Sequence, residues 1–428
     1  MITPAPTSCR PLVNLMTEPR IVIIGGGSAG LACALALHQR GITDVVILEK
    51  ENELGGILNQ CIHTGFGLTR FKQEYTGPMY AQRFIDELKP YNPNIRLGAT
   101  VLELHPDKTV IYSDASGLHT LHPHYVVLAL GARERTRGNI AIPGDRCIGV
   151  WTAGSAQRYL NIDGYLVGKR VFILGSGDIG LIMARRMTLS GATVVGVAEL
   201  MPYSNGLTRN LVQCLEDFNI PLHLSTTITA IHGKRRVEAI TVCQVDANRR
   251  PIVDSAQRIE VDTVLLSIGL IPDQVLGEQA GLAMDLRTRG PVVDDHLMSS
   301  VPGIFVCGNA LHIHDLVDWV SMEGEKVAQA IADTLNTSEP PSTIPITAKG
   351  KLGYVLPQAV HPNATHLTLN YRVTQPMKQA TLRLVGDGEV VMMLKKTQLH
   401  PSEMQRIEIP HALLSKIHYN WSVELSDD

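Results

Sequence analysis

Two copies of one glycine-rich turn, 150 residues apart, constrain this 428-residue chain more than any other feature. They are Ile21-Val-Ile-Ile-Gly-Gly-Gly-Ser-Ala-Gly30 and Val171-Phe-Ile-Leu-Gly-Ser-Gly-Asp-Ile-Gly180. Each is an apolar, β-branched run read as a buried strand, then Gly-x-Gly-x-x-Gly, then an Ala- and Leu-rich or Met-rich helical stretch. Gly25 and Gly175 permit the tight turn, Gly27 and Gly177 let the backbone approach a pyrophosphate, and Gly30 and Gly180 let helix and strand pack closely. Ser28, Ala29, Asp178 and Ile179 fill the remaining positions of the two turns, at helix N-termini whose free amides and dipole favour negative charge. After each turn a second strand ends in an acid, Glu49 or Glu199, 19 residues past the third glycine. A carboxylate there accepts ribose hydroxyls and repels a 2′-phosphate. A single fingerprint of this kind can be chance or mere packing; two complete ones predict two dinucleotide sites on two Rossmann-like domains of an α/β protein.

The composition fits that reading. With 44 % hydrophobic residues, 18 % charged and a net charge of −3, the chain lacks the basic field of a nucleic-acid binder. No apolar run approaches the length needed to span a membrane. Cys9, Cys33, Cys61, Cys147, Cys214, Cys243 and Cys307 are odd in number and never form C-x-x-C, which argues against zinc, iron-sulfur and disulfide frameworks and for a reducing cytoplasm. Residues 1–19, rich in Pro and Thr, read as a disordered tail or an over-long start with Met16 as the true one.

Along the chain, Ile95 to Glu103, Thr109 to Ser113 and Tyr125 to Gly131 read as strands, and Ala153 to Leu160 as a helix leading into the second fingerprint. The second unit carries a helix near Arg209 to Phe218, strands around Leu222 to Ile231 and Val237 to Val245, and a run from Asp262 to Pro272 that echoes Tyr125 to Gly131. Ile304 to Asn309 is a short buried strand ending in glycine, and Glu323 to Leu335 a helix, so the chain returns to its first domain. The expected organisation is a first dinucleotide-binding domain over 20–150 and 275–335, a second over 151–274, a linker over 336–351 dense in Pro, Ser and Thr, and a small all-β domain over 352–428. Gly386-Asp-Gly388 marks a hairpin in the last.

These motifs resemble the two-dinucleotide FAD/NAD(P) oxidoreductases of the glutathione reductase and thioredoxin reductase superfamily, over roughly residues 20 to 335. More narrowly, Gly55-Gly-Ile-Leu-Asn-Gln-Cys-Ile-His-Thr-Gly-Phe-Gly-Leu68, Gly308-Asn-Ala-Leu-His-Ile-His-Asp-Leu-Val-Asp318 and Pro401-Ser-Glu-Met404 look like bacterial flavoproteins found beside a glycerol-3-phosphate-dehydrogenase-type flavoprotein and a small cysteine-rich protein. The resemblance implies that Gly25, Gly27, Gly30 and Glu49, with Lys50 beside it, hold the ADP half of FAD, with Gly55 and Gly56 passing close. Val101, Ala129 and Gly131 belong to the same site. Gly308 and Asn309 stand where the superfamily usually has Gly-Asp. Gly175, Gly177, Gly180, Glu199 and Gly269 would hold a pyridine nucleotide, NAD in preference to NADP.

The departures carry equal weight. Disulfide reductases of the superfamily need two cysteines close in sequence, whereas Phe66 stands where a partner five residues after Cys61 would be. Cys61 is either an ordinary small residue near the flavin or a single redox thiol whose thiolate His63 would stabilise. His312, His314 and Asp315 invite a metal reading, but i, i+2 spacing in a loop does not by itself converge three ligands, so no metal is expected. His312 and His314 instead count as candidate catalytic residues near the flavin ring or electron exit, beside a helix starting near Asp315. The resulting expectation is a flavin relay between NAD(H) and a partner, such as a second flavoprotein dehydrogenase subunit or a small cysteine-rich carrier, with the β-rich tail as docking or dimer surface. A self-contained NADH oxidase or peroxidase using Cys61, and a nucleotide-binding scaffold without catalysis, are the alternatives.

Overall fold

The computed structural model describes residues 19–335, 342–414 and 419–427. The first fingerprint lies on a five-stranded, all-parallel sheet in the order Ile304–Val306, Tyr125–Leu128, Ile21–Ile24, Val45–Leu48, Asn94–Arg96. The second lies on a five-stranded parallel sheet in the order Val150–Thr152, Thr263–Leu266, Arg170–Leu174, Thr193–Ala198, Leu222–His223. In both, the strand before the glycine turn is central, with neighbours reached in opposite directions, so the turn sits at the switch point where a doubly wound sheet opens a crevice. Central strands of this kind are covered on both faces, which is why Ile21, Val22, Ile23, Val171, Phe172 and Ile173 are fully buried and the runs read as continuous apolar stretches.

Each domain also carries an antiparallel three-stranded sheet, Thr100–Leu104, Val110–Asp114 and Gly117–Leu121 in the first, and Thr226–His232, Ala239–Gln244 and Gln257–Glu260 in the second. The domains are joined where Ala132–Glu134 pairs antiparallel with Leu270–Pro272. Either side of that ribbon, the Asp273 amide donates to the Gly131 carbonyl and the Arg135 amide to the Gly269 carbonyl, 3.1 Å each. Strand Ile304–Val306 returns the chain to the first sheet, and the long helix Val317–Thr334 then packs against helix Ser28–Gln39. That helix begins six residues before the expected Glu323, since Val317, Val320 and Ser321 already face inward and Leu316, without a capping side chain, does not mark the start.

The remaining residues form two sheets around one core that includes Tyr371, Trp421 and Leu369. In the five-stranded sheet the hairpin Met377–Gly386 to Glu389–Leu399 turns at Asp387 (φ 51°) and Gly388 (φ 91°), the two positive φ values of a tight hairpin turn. The expected linker 336–351 differs from what is found. Ile344–Gly350 is a strand of this module, parallel to Trp421–Asp427, with Ile344 and Ile346 buried and Pro345 exposed near the strand's start, a position Pro tolerates. Alternation over so few residues was masked by the Pro- and Thr-rich composition, and its pairing partner lies some 75 residues away. Residues 336–341, and residues 1–18 of the tail expected over 1–19, lie outside the described residues.

The module is not separate from the rest. Tyr354 and Leu356 belong to the core of the first domain, Gln358 bonds Val293 and Asp285, and Arg287 donates to the Gly353 carbonyl. Among the described residues no helix is long and apolar enough to cross a membrane.

Candidate functional site

The first glycine turn has the geometry of a phosphate cradle. A Cβ on Gly25 (φ +108°) would stand 2.4 Å from the Ala129 carbonyl oxygen, and one on Gly30 would stand 1.9 Å from the Gly25 carbonyl oxygen. At Gly27 nothing lies within 4 Å of that position, so the mouth of the turn is open where a pyrophosphate would approach. Helix Ser28–Gln39 starts there with no acid in its first turn, leaving its positive end uncompensated. Gly56 lies against this mouth, with a Cβ position 3.2 Å from the Gly27 Cα, and the Gly55 amide donates to the Gly26 carbonyl.

Glu49 is buried; Oε2 accepts from the Gly26 amide at 2.6 Å and Oε1 from the Glu51 amide at 2.8 Å. A carboxylate has about four acceptor positions, so two remain for ribose hydroxyls. The residues therefore fit the adenosine diphosphate half of FAD. Gly308 closes the far side, with a Cβ position 2.9 Å from Val320 and 3.0 Å from Ala29. Val101 packs half-buried on its strand and Lys50 is exposed, both outside the large cavity described next.

The second turn repeats the design. Gly175 (φ +101°) and Gly180 would each bring a Cβ within 2.7 Å of Ser267, and Gly177 meets only ordinary contact at 3.6 Å. Glu199 accepts from the Ser176 amide and hydroxyl, at 3.0 and 2.7 Å, and from the Met201 amide at 2.9 Å. Asp178 does something the spacing did not show. Its Oδ1 accepts from the Leu207 amide at 2.9 Å and the Asn210 side chain at 2.6 Å, holding the 207–210 segment over the turn. A carboxylate so placed positions a loop rather than contacting a pyrophosphate of the same charge.

A cavity of about 1220 Å³ opens from the second turn, and the first turn does not line it. Gly175, Gly177, Asp178, Ile179, Glu199 and Gly269 form its nucleotide side, Cys61, His63 and Phe66 another wall, and the stretch from Ile313 to Val317 a third. Gly131 and Ala129 lie at the crossover behind it, with the Ala129 amide bonded to the Ile24 carbonyl.

The structure does not join Cys61 to His63. The Cys61 thiol donates to the Ile57 carbonyl at 3.3 Å, and burial pushes its pKa up to about 12. His63 turns Nδ1 toward the Thr64 carbonyl at 3.1 Å, and burial lowers its pKa. Neither condition favours a thiolate. His312 and His314 stay together, their ring centroids 4.1 Å apart, but they meet the cavity differently. His314 reaches the cavity wall, its Nδ1 3.2 Å from Asn309 Oδ1, whereas His312 is 1 % exposed and lies behind that wall between Tyr354 and Glu323.

Two groups of residues escaped sequence reasoning. Glu323, on the helix, brings a carboxylate to both imidazoles and accepts from the Gly308 amide at 2.8 Å. Arg372, Pro401 and Ser402 of the C-terminal module line the cavity, whereas that module was expected to serve as a docking or dimer surface. No local pattern announces either; only a helical register counted back from Gly324, whose Cβ position is 2.2 Å from the Ala29 carbonyl, would have turned Glu323 inward.

Residues 19–332 match the model of the pyridine nucleotide-disulphide oxidoreductase family. The chain belongs to that family. As an oxidoreductase of this family it takes FAD and a nicotinamide dinucleotide, and its fold is that of thioredoxin reductase with a β domain added at the C-terminus. It is 24 % identical over 324 residues to hydrogen cyanide synthase subunit HcnB of Pseudomonas aeruginosa, spanning 72 % of this chain and 68 % of that protein. It is 27 % identical over 347 residues to the glutamate synthase [NADPH] small chain of Mycobacterium tuberculosis, spanning 74 % and 67 %. Among solved structures, the thioredoxin reductase of T. acidophilum aligns at a TM-score of 0.60 and 25 % identity over 74 % of this chain and 99 % of that one.

Proposed function

We propose that this oxidoreductase moves a hydride between NAD(H) and FAD and relays the electrons to or from a partner dehydrogenase subunit. The observation that carries the reading is the single cavity that runs from the second glycine turn to the Cys61 and His314 walls, in which Cys61 is the only cysteine among the described lining residues. Two-electron chemistry in such a site is supplied by the isoalloxazine of the bound flavin, and the protein's part is to bind, orient and exclude water. Gly27 and Glu49 would anchor one nucleotide and Gly177 and Glu199 the other, at the open ends of two parallel sheets. The segment 207–210, held by Asp178, and the C-terminal module, through Arg372, would narrow the cavity and keep it dry.

With no second thiol among the described lining residues, the electrons have no disulfide to enter there and leave through a separate acceptor. That HcnB is a subunit and the glutamate synthase relative a small chain supports assembly with a larger partner. The narrower resemblance of the 55–68 and 308–318 segments points to a glycerol-3-phosphate-dehydrogenase-type flavoprotein. Preference for NAD over NADP rests on Glu199, whose carboxylate would face a 2′-phosphate.

Anaerobic mixing of the purified holoprotein with NADH and with NADPH tests the first half: bleaching of the flavin band, faster with NADH, is the expected result. An unbleached flavin would leave a nucleotide-binding scaffold. Purification of the tagged chain from its own cells tests the second half, with a co-eluting flavoprotein expected and a stable homo-oligomer active on its own as the contrary outcome.

A further inference from the structure

The buried cluster at the cavity wall turns two imidazoles toward one carboxylate oxygen. Asn309 Oδ1 accepts from the His314 backbone amide at 3.0 Å, and His314 Nδ1 lies 3.2 Å from the same oxygen. An amide oxygen only accepts, so the ring proton of His314 is on Nδ1, and in the neutral imidazole Nε2 presents a lone pair. That nitrogen faces Glu323 Oε1 at 3.1 Å, is buried, and makes no hydrogen bond. A lone pair against a carboxylate oxygen is repulsive out of water unless a proton or a cation lies between them. Among the described residues Glu323 has no Lys or Arg ion-pair partner, only the two imidazoles.

The outward-facing atoms of all three residues are already held. His312 Nδ1 is 3.1 Å from the Tyr354 hydroxyl, His314 Nδ1 bonds Asn309, and Glu323 Oε2 accepts from the Gly308 amide. This is how metal-binding imidazoles and carboxylates are oriented, by partners on the atom away from the ion. It leaves His312 Nε2, His314 Nε2 and Glu323 Oε1 facing one another, with both nitrogens 3.1 Å from the oxygen. Donors bonded to one ion at about 2.0–2.1 Å stand roughly 3.0–3.4 Å apart. Spacing within the loop brings only the two imidazoles together; Glu323 Oε1 reaches them from the helix.

We propose that His312, His314 and Glu323 bind one divalent ion of the zinc class. Two imidazoles and one carboxylate suit Zn²⁺ or Fe²⁺ and are a poor set for the oxygen-seeking Mg²⁺ and Ca²⁺. The ion would set a positive charge beside the buried Glu323 carboxylate.

Metal analysis of the full-length holoprotein after desalting tests this, using Zn²⁺ and Co²⁺ as probes. About one equivalent per chain is expected, falling at least tenfold in His312→Ala and in Glu323→Gln, which keeps an acceptor for the Gly308 amide. Co²⁺-loaded native protein should show d–d bands to the red of the flavin absorption, absent from both variants. Native protein that holds no more metal than the variants, or that takes up Co²⁺ without those bands, would overturn the site and leave a cluster that shares a proton only. Should the variants fail to retain FAD, Co²⁺ titration of native protein decides alone. None of these readouts uses NADH, so their failure does not touch the electron-relay reading.

Discussion

Arg372, on a strand of the C-terminal module, forms an ion pair with Asp315 in the loop that leads into helix Val317–Thr334, fastening the module to the wall of the cavity. The side chains are 16 % and 20 % exposed, and Arg372 also donates to the Ile313 and Pro401 carbonyls at 3.1 Å. Removing one partner of a largely buried pair strands the other, at a cost of about 3 kcal/mol. Arg372→Ala should therefore lower the urea midpoint of the module by an amount corresponding to that loss. Lysine should rescue little, because a point charge cannot serve three acceptors as the planar guanidinium does. An unchanged midpoint in Arg372→Ala would show that the contact holds nothing in place.

The two glycine turns should be separable by mutation. Gly25→Ala places a side chain at φ +108° and 2.4 Å from a backbone oxygen, so it carries both backbone strain and a clash that no rotamer relieves. Strain alone is worth about 1–3 kcal/mol, and we expect Gly25→Ala to purify without flavin. Gly175→Ala, at φ +101° and 2.0 Å from the Ser267 carbonyl oxygen, should retain flavin yet weaken NADH binding by at least about 30-fold, which is roughly 2 kcal/mol. Flavin content and the NADH dependence of flavin reduction read the two effects. Equal loss of flavin in both variants would contradict the assignment of separate sites.

Cys61 should behave as an inert thiol. With its pKa raised to about 12 by burial, its alkylation should be about 1000-fold slower at pH 7 than that of an exposed thiol and still climbing at pH 10. An ordinary thiol levels off once the pH passes its value near 8.5. Mass-resolved alkylation of the holoprotein gives the profile, and Cys61→Ser should keep most NADH turnover. A plateau below about pH 8 would instead revive the single-thiol oxidase.

How legible the molecule was depends on the distance over which each feature is specified. The turn glycines and the acids Glu49 and Glu199 were readable because the strand, the turn and the acid are local, and the steric demand on Gly25 or Gly30 is visible in the motif. The hairpin at Asp387 and Gly388 was readable for the same reason. Ile344–Gly350 was not, because most of its pairing is with Trp421–Asp427 at the other end of the module, and the nearer Ala359–Val360 meets only two of its residues. Glu323 and Arg372 were hidden more deeply. Each reaches the site only after a helix or a whole module has packed, so neither has a neighbour in sequence that marks it. Cys61 and His63 show the converse: two residues apart, they suggested a pair, but the backbone turns them toward different carbonyls.

Stability should fall as the pH rises through neutrality, because of His361. Burial opposes its charge, but the 2.6 Å bond from Nδ1 to Asp295, together with the charges of Asp295 and of Asp294 at 3.6 Å, outweighs burial and raises the pKa above the ordinary 6.5. The other groups around it are His296, stacked at 4.3 Å, and Lys326, which feels both aspartates. A raised folded-state pKa means that the native state holds the proton more tightly than the unfolded chain. Its contribution is complete below about 6.5 and disappears as the pH climbs through the folded value. This histidine joins the C-terminal module to the first domain, so the loss falls on their interface. Urea midpoints of the native protein should thus decline from about pH 6 to about pH 8.5, and His361→Gln, destabilised at the acidic end, should show a flatter profile. If the variant instead lost stability equally at both ends, packing rather than charge would be what His361 contributes.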